Sequence, residues 1–326
     1  MKYRKLGNTG IEVSEVGFGA WGIGGTRNGA IAYGKTDDKI SIQALKKAID
    51  LGINFFDTSP LYGLGNSEIL IGKVMTSFRD KVIIATKVGY VNYDGDQKFS
   101  INYIKNSLEK SLQRLQTTYI DVFQLHDPPV NIIQNEKIKL LLQSFLNEGK
   151  VRALGISVRS PQDGFSVAKN KIFSSIQVNY NLTDLRAKKL GLFELCAKNN
   201  IGIIVRTPLV FGFLTGKYRS AKNFDIGDHR SKWSKEQINK WSNAVSNFKR
   251  KAKMKNDVQT DAQLALRFCL SEPAVSTIIP GMLTQKHVEE NSLSSEMGPL
   301  SEMILNQFFE AYGENNKYFI GANQKD

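Results

Sequence analysis

The chain has 326 residues, 41% hydrophobic and 23% charged, with 44 basic against 31 acidic side chains and a formal net charge of +13. That length suits one large barrel or two ordinary domains, and the composition is that of an ordinary soluble globular protein. No apolar run approaches the roughly 20 residues of a membrane-spanning helix, MKYRKLGNTG lacks the apolar core of a signal peptide, and Cys196 and Cys269 imply no disulfide framework; a cytoplasmic location is expected.

The pass along the chain finds a rhythm. KYRKLG and IEVSEVG flank Asn8-Thr9-Gly10, a hairpin signal. Short apolar, often β-branched runs follow: VGFGA (16–20), INFFD (53–57), KVIIAT (81–86), DVFQLH (121–126), RALGIS (152–157), SIQVNY (175–180), GIIVRT (202–207) and VSTIIP (275–280). Between them lie stretches with helical apolar spacing, such as DKISIQALKKAIDLG, SINYIKNSLEKSLQRLQ and NEKIKLLLQSFLNEGK. Thr36-Asp37-Asp38 and Ser100 are suited to cap helix starts, and Gly52 and Gly149 follow last turns. Eight strands alternating with helices, without a composition break, predict a single (β/α)8 TIM barrel over 1–326 with an N-terminal β-hairpin. An open doubly wound sheet is the runner-up.

The excess positive charge is spread out, with clusters RAKK (186–189) and KRKAKMK (249–255) in predicted helices. Neither carries the interleaved aromatics of a surface that stacks single strands. They are expected to be solvated helix faces. No nucleic-acid, membrane or metal partner is expected, and oligomeric state is not specified. The field would favour a phosphate-bearing ligand without proving one.

The stretch DTSPLYGLGNSE (57–68) carries the chemistry. Read as a dinucleotide-binding glycine loop it fails, because Glu68 stands at the third glycine position and the segment follows the second barrel strand, not the first. Gly63 and Gly65 are turn residues before SEILIGKVM. In a barrel of this kind the site is built at the C-terminal strand ends. Asp57 ends the second barrel strand, with Tyr62 just after it; Lys87 ends the third and His126 the fourth. Each alone has a plain structural reading: a cap, a packed ring, a solvated lysine, a satisfied buried histidine. Their coincidence at the same ends of adjacent strands favours a catalytic cluster.

DTSPLYGLGNSE, IIATKVG and DVFQLHDP together resemble the aldo-keto reductase superfamily, and the resemblance extends from KYRKLGNTGIEVSEVGFGAWGIGG to EENSL near residue 293. It implies the same barrel floored by its N-terminal hairpin, and reduction of an aldehyde or ketone by hydride from NAD(P)H. Tyr62 would then donate the proton and stabilise the nascent alkoxide, with Lys87 expected to lower its pKa. Asp57 would hold the ammonium, and a neutral His126 would orient the carbonyl.

By the same resemblance, Ser157 and Gln177 match the carboxamide-binding positions, and Trp21 is counted with the cofactor contacts. The segment RTPLVFGFLTGKY (206–218) matches the pyrophosphate loop, with Pro208, Leu209, Gly212, Leu214 and Lys217 as contacts. PGMLTQKHVEEN (280–291) matches the adenosine-phosphate site, with Gly281, Glu290 and Asn291. Three positions depart from the pattern. Val158 stands where a polar carboxamide ligand is common. Arg206 replaces a stacking aromatic, and its charge should disfavour the oxidised ring. Leu283 replaces a 2′-phosphate ligand, for which Lys286 and His287 would substitute, so NADP(H) is expected over NAD(H).

Trp21 and Trp233 are candidate walls of a pocket open to many carbonyl substrates, or simply packed structure. Two other functions stay in view: a non-catalytic, cofactor-sensing binding module, like the potassium-channel β-subunits of the same superfamily, and a Schiff-base lyase using Lys87.

Overall fold

The computed structural model describes residues 1–218, 224–225, 227–254, 259–314 and 318. Its first two strands, β1 (Tyr3–Lys5) and β2 (Glu12–Ser14), pair antiparallel, with Tyr3 opposite Ser14 and Lys5 opposite Glu12. Eight parallel strands follow: β3 (Phe18–Gly19), β4 (Phe55–Asp57), β5 (Ile83–Val88), β6 (Ile120–His126), β7 (Val151–Ser157), β8 (Ser175–Asn179), β9 (Gly202–Arg206) and β10 (Val275–Ile278). They lie in sequence order, and the two ends of the sheet meet. Gly17 N donates to the Ile278 carbonyl (2.8 Å), and Gly19 N to the Pro280 carbonyl (3.0 Å). A Cβ at Gly19 would lie 2.6 Å from the Ile279 carbonyl oxygen, so glycine permits the close approach at this seam.

Strand alternation divides the apolar residues into two cores. Ile84, Phe123, Leu125 and Ile156 point outward into the layer beneath the helices. Phe55, Ile83, Ala85, Val122, Ala153 and Ile204 point inward, and Leu6, Ile11 and Val13 of the hairpin segment join them. The hairpin therefore plugs the N-terminal end of the barrel, leaving the opposite end for polar side chains.

Several start and stop signals act as expected. Asp37 caps the helix Asp38–Asp50 by accepting from Lys39 N. Gly52 and Gly149 adopt left-handed φ values of 80° and 72° beyond their helices. Ser100 occupies the start of Ile101–Leu115, but its side chain makes no capping bond. The basic clusters are less free than the expected solvated faces. Arg186 chelates Asp184, Lys188 binds Glu272, and Lys249 reaches Asp261 at 2.7 Å; Lys255 and most of the tail after 314 lie outside the described residues.

Candidate active site

Period-two alternation also places the polar residues. On β5, Ile83 and Ala85 face the barrel interior, so Lys87 does too; on β6, Val122 is followed inward by Gln124 and His126. Asp57 lies above Phe55 on β4 in the same way. Gly155 on β7 leaves space for this layer, since a Cβ there would approach Gln124 Cγ at 3.1 Å and Ser175 Oγ at 2.5 Å. After β4 the chain turns through Gly63 (φ 61°), whose absent Cβ would lie 2.2 Å from the Gly24 carbonyl. This glycine is a backbone requirement, as expected for a turn and not for a phosphate loop. Tyr93 Oη fixes the turn by donating to the Leu61 carbonyl (2.5 Å) and accepting from Gly63 N (3.1 Å).

The four strand-end residues converge. Lys87 Nζ donates to Asp57 Oδ1 at 2.5 Å, to the Thr58 carbonyl at 2.9 Å and to Tyr62 Oη at 3.3 Å. All three ammonium hydrogens thus have acceptors, which suits a lysine that is 0% exposed. Asp57 Oδ2 accepts from Gln177 Nε2 (2.7 Å) and Gln124 Nε2 (3.1 Å), and Gln177 Nε2 also reaches Gln124 Oε1 at 3.2 Å. The His126 ring meets Tyr62 edge-on at 6.3 Å and Tyr90 at 4.8 Å, between centroids.

Burial is the largest influence on Tyr62, Lys87 and His126. It raises the Tyr62 pKa above the ordinary phenol value, and the opposing charges of Lys87 and Arg206 do not reverse it. The expected lowering is therefore corrected: Lys87 limits the rise, and Tyr62 stays protonated at neutral pH. Burial opposes charge on Lys87, but Asp57 and Tyr62 shift its pKa upward overall. His126 is pushed down to about 3 by burial, with Lys87 and Arg206 adding to the effect and Asp127 opposing it. It is a neutral imidazole, as expected.

A cavity of about 720 Å³ opens from this cluster along the C-terminal strand ends. Its walls include Trp21, Ser157, Gln177, Arg206, Pro208, Leu209, Gly212, Lys217, Gly281, His287, Glu290 and Asn291. Trp233 also lines it, so both tryptophans are pocket walls. Added Cβ atoms at Gly212 and Gly281 would meet only Tyr218 and Tyr33, each at 3.5 Å, so both positions present bare backbone. Two expected contacts are placed elsewhere. The Leu214 side chain is 0% exposed within the outer core, because its short 3₁₀ segment, Val210–Thr215, turns that face inward. Lys286 projects to solvent from the helix Gln285–Met297 and is absent from the cavity walls. Lys217 takes the place beside His287, with Nζ 3.4 Å from Nε2. Leu283 N donates to His287 Nδ1 (3.3 Å), so in the neutral ring the proton is assigned to Nε2.

Arg206 Nη2 donates to the carbonyl of Val158 at 3.0 Å, while its Nε is buried without a partner. The Val158 side chain is buried at 1% exposure and has no polar group to offer. An elongated cavity with an orphaned donor, bare backbone and a basic far end fits a nicotinamide dinucleotide.

Other residues of the site escaped the sequence reading. Gln124, buried beneath the cavity as a partner of Asp57, could have been found by stepping two residues back from His126 on the same face. Asp127 was visible in LHDP but carried no separate signal. Phe211 and His229 lie in the long irregular segment after β9, where periodicity is silent; their rings approach at 4.9 Å, as do those of Trp21 and His229. That segment is tied across the mouth to residues 30–33, with His229 N donating to the Ala32 carbonyl at 2.8 Å.

A hairpin-floored eight-stranded barrel with an Asp–Tyr–Lys–His cluster at its open end defines a class that the comparisons identify. A sequence model of the aldo/keto reductase family matches residues 15–312, and the chain belongs to that family. An aldo-keto reductase of Schizosaccharomyces pombe, named with NADP(+), is 32% identical, covering 98% of this chain and 93% of the relative. The NADH-specific methylglyoxal reductase of Escherichia coli is 29% identical, covering 95% and 99%. Among solved structures, the holo form of an aldo-keto reductase from Bacillus halodurans covers all of both chains at 26% identity and a TM-score of 0.76.

Proposed function

We propose that this protein reduces an aldehyde or ketone to the alcohol, with Tyr62 as proton donor. The observation that carries the reading is the buried ammonium of Lys87, within hydrogen-bond reach of both Asp57 Oδ1 and Tyr62 Oη. A bound nicotinamide cofactor supplies the hydride. Tyr62 is protonated and faces the cavity, so it can transfer its proton to the carbonyl oxygen as negative charge develops there. Lys87 stabilises the phenolate left behind, and Asp57, held by Gln124 and Gln177, keeps the ammonium in place. Neutral His126 supplies a hydrogen bond to the same oxygen and orients it.

Gln177 would keep its amide oxygen for the carboxamide while its nitrogen binds Asp57. Ser157 and the unpartnered Arg206 Nε would complete that end. Lys217 and His287 at the far end favour NADP(H) over NAD(H), a preference that the differently named relatives do not settle. A Schiff-base role for Lys87 is disfavoured, because a nucleophilic amine must be uncharged and this one is held as the ammonium. The test is a fluorescence titration with NADPH and NADH, followed by NADPH oxidation across a panel of aldehydes and ketones. Tight cofactor binding with no turnover on any carbonyl would favour the non-catalytic binding module.

A further inference from the structure

Asp127, the residue after His126, has no part in the proton transfer just described. Its backbone is held at φ 51°, an unfavourable region for a non-glycine residue. Gln97 Nε2 stabilises that turn by donating to the carbonyls of His126 and Asp127, both at 2.9 Å. The turn leaves the Asp127 carboxylate in the cavity wall. Oδ1 accepts from Ser157 Oγ at 2.9 Å, and Oδ2 from Tyr90 Oη at 3.2 Å. A carboxylate has about four acceptor sites, so two remain. Burial opposes its ionisation, but Arg206, His126 and the two hydroxyl donors together hold its pKa below the usual carboxylate value. The Arg206 Nη2 contact is made to Val158.

An ionised acceptor therefore lies beside the proposed carbonyl-binding histidine, in a wall otherwise rich in aromatic faces. Tyr90 packs against His126, and the Trp21 ring lies 6.3 Å from Tyr62. Aromatic faces cover the C–H surface of a small polar molecule, and a carboxylate in the cavity wall with acceptor sites still open can take a further hydrogen bond from a donor on that molecule. We propose that Asp127 accepts a hydrogen bond from a hydroxyl group close to the substrate carbonyl, so that the site selects hydroxylated aldehydes and ketones. This rests on the carbonyl-reductase reading and adds a substrate class to it. The rival donor is the carboxamide of the nicotinamide, which would make Asp127 a cofactor ligand instead.

The experiment compares kcat/KM for 2-hydroxypropanal and propanal in the wild-type protein, Asp127→Asn and Asp127→Gly, with NADPH affinity measured on each by fluorescence. The glycine variant relieves the left-handed backbone, so it guards against a folding failure. The ratio of the two kcat/KM values cancels the intrinsic reactivities when variant and wild type are compared. Loss of a hydrogen bond to a charged group should reduce that ratio roughly 10- to 100-fold. An equal fall for both aldehydes would overturn the proposal and leave Asp127 a structural residue. An unmoved ratio with weakened NADPH binding would overturn it in favour of the carboxamide. No turnover of any carbonyl by the wild-type protein would bring down the reductase reading and this one together.

Discussion

The two ends of the barrel are built from the same strands and the same inward-facing rows, yet they have opposite chemistry. At the hairpin end, Leu6, Val13, Phe55, Ile83, Val122 and Ile204 form a dry apolar floor. Two to four residues further along those strands, the rows carry Asp57, Lys87, Gln124 and His126. The floor offers burial without polar groups to satisfy. The open end buries a charge pair and two amides that demand partners, and supplies them within about one layer of side chains. The difference separates stability from chemistry along a single axis. A buried lysine and aspartate would be a liability without the packed layer beneath them.

The largest expected effect isolates chemistry from stability. Tyr62→Phe retains the ring and removes the proposed acid, so turnover should fall by ~10²–10⁴-fold while cofactor affinity barely changes; stability should fall by only about 1–3 kcal/mol, as one Lys87 hydrogen loses its acceptor. Wild-type kcat in this variant would end the proton-donor assignment. Phe55→Ala should show the reverse: a loss of about 3–5 kcal/mol in denaturant unfolding, with little change in the kcat of the protein that remains folded. A large kcat loss there would show that the floor and the site are not separable.

Lys87→Met tests where the separation should break down, because it leaves Asp57 buried with only the two glutamine donors. Stability should fall by about 3–5 kcal/mol together with turnover, and Lys87→Met combined with Asp57→Leu should recover stability but not activity. Failure of the double variant to recover would mean that the pair is more than a mutually compensating charge.

Acid sensitivity should also belong to the open end. His126 and His229 have folded pKa values pushed down to about 3 and about 4 by burial, from an ordinary 6.5. The unfolded chain therefore takes up protons that the folded one excludes. Their contribution is fully present above the unfolded value and is lost as pH falls below 6.5 toward the folded ones. Each histidine adds a slope of up to about 1.4 kcal/mol per pH unit, reduced because both are partly exposed to the cavity. Unfolding of His229→Phe between pH 7 and 5 should show a shallower slope than wild type; parallel curves would remove His229 from this account.

The smallest effect concerns the far end of the cavity. Lys217→Ala should narrow any preference for NADPH over NADH by about 1 kcal/mol or less, and that difference should shrink as salt is raised. A preference unchanged by the substitution would mean that Lys217 does not face the 2′-phosphate.

The strand rhythm, the hairpin and the inward direction of Asp57, Lys87 and His126 were all legible in the sequence. They depend on local rules: period-two alternation, turn-forming residues and the placement of polar groups at strand ends. Non-local matters were not legible. Whether Leu214 or Lys217 faced the cavity depended on the turn of a short 3₁₀ segment, and Lys286 lost its expected place to a lysine some seventy residues earlier. The sign of the Tyr62 shift was also beyond sequence reasoning. A neighbouring ammonium can be named from strand positions, but desolvation sums over every atom packed around the phenol, and here that sum outweighs the ammonium. His229 became a wall residue only when loops from distant strands met over the barrel mouth, and Asp127 only through the left-handed turn that ends β6. Local chemistry is carried by spacing along the chain; burial and encounter are properties of the closed barrel.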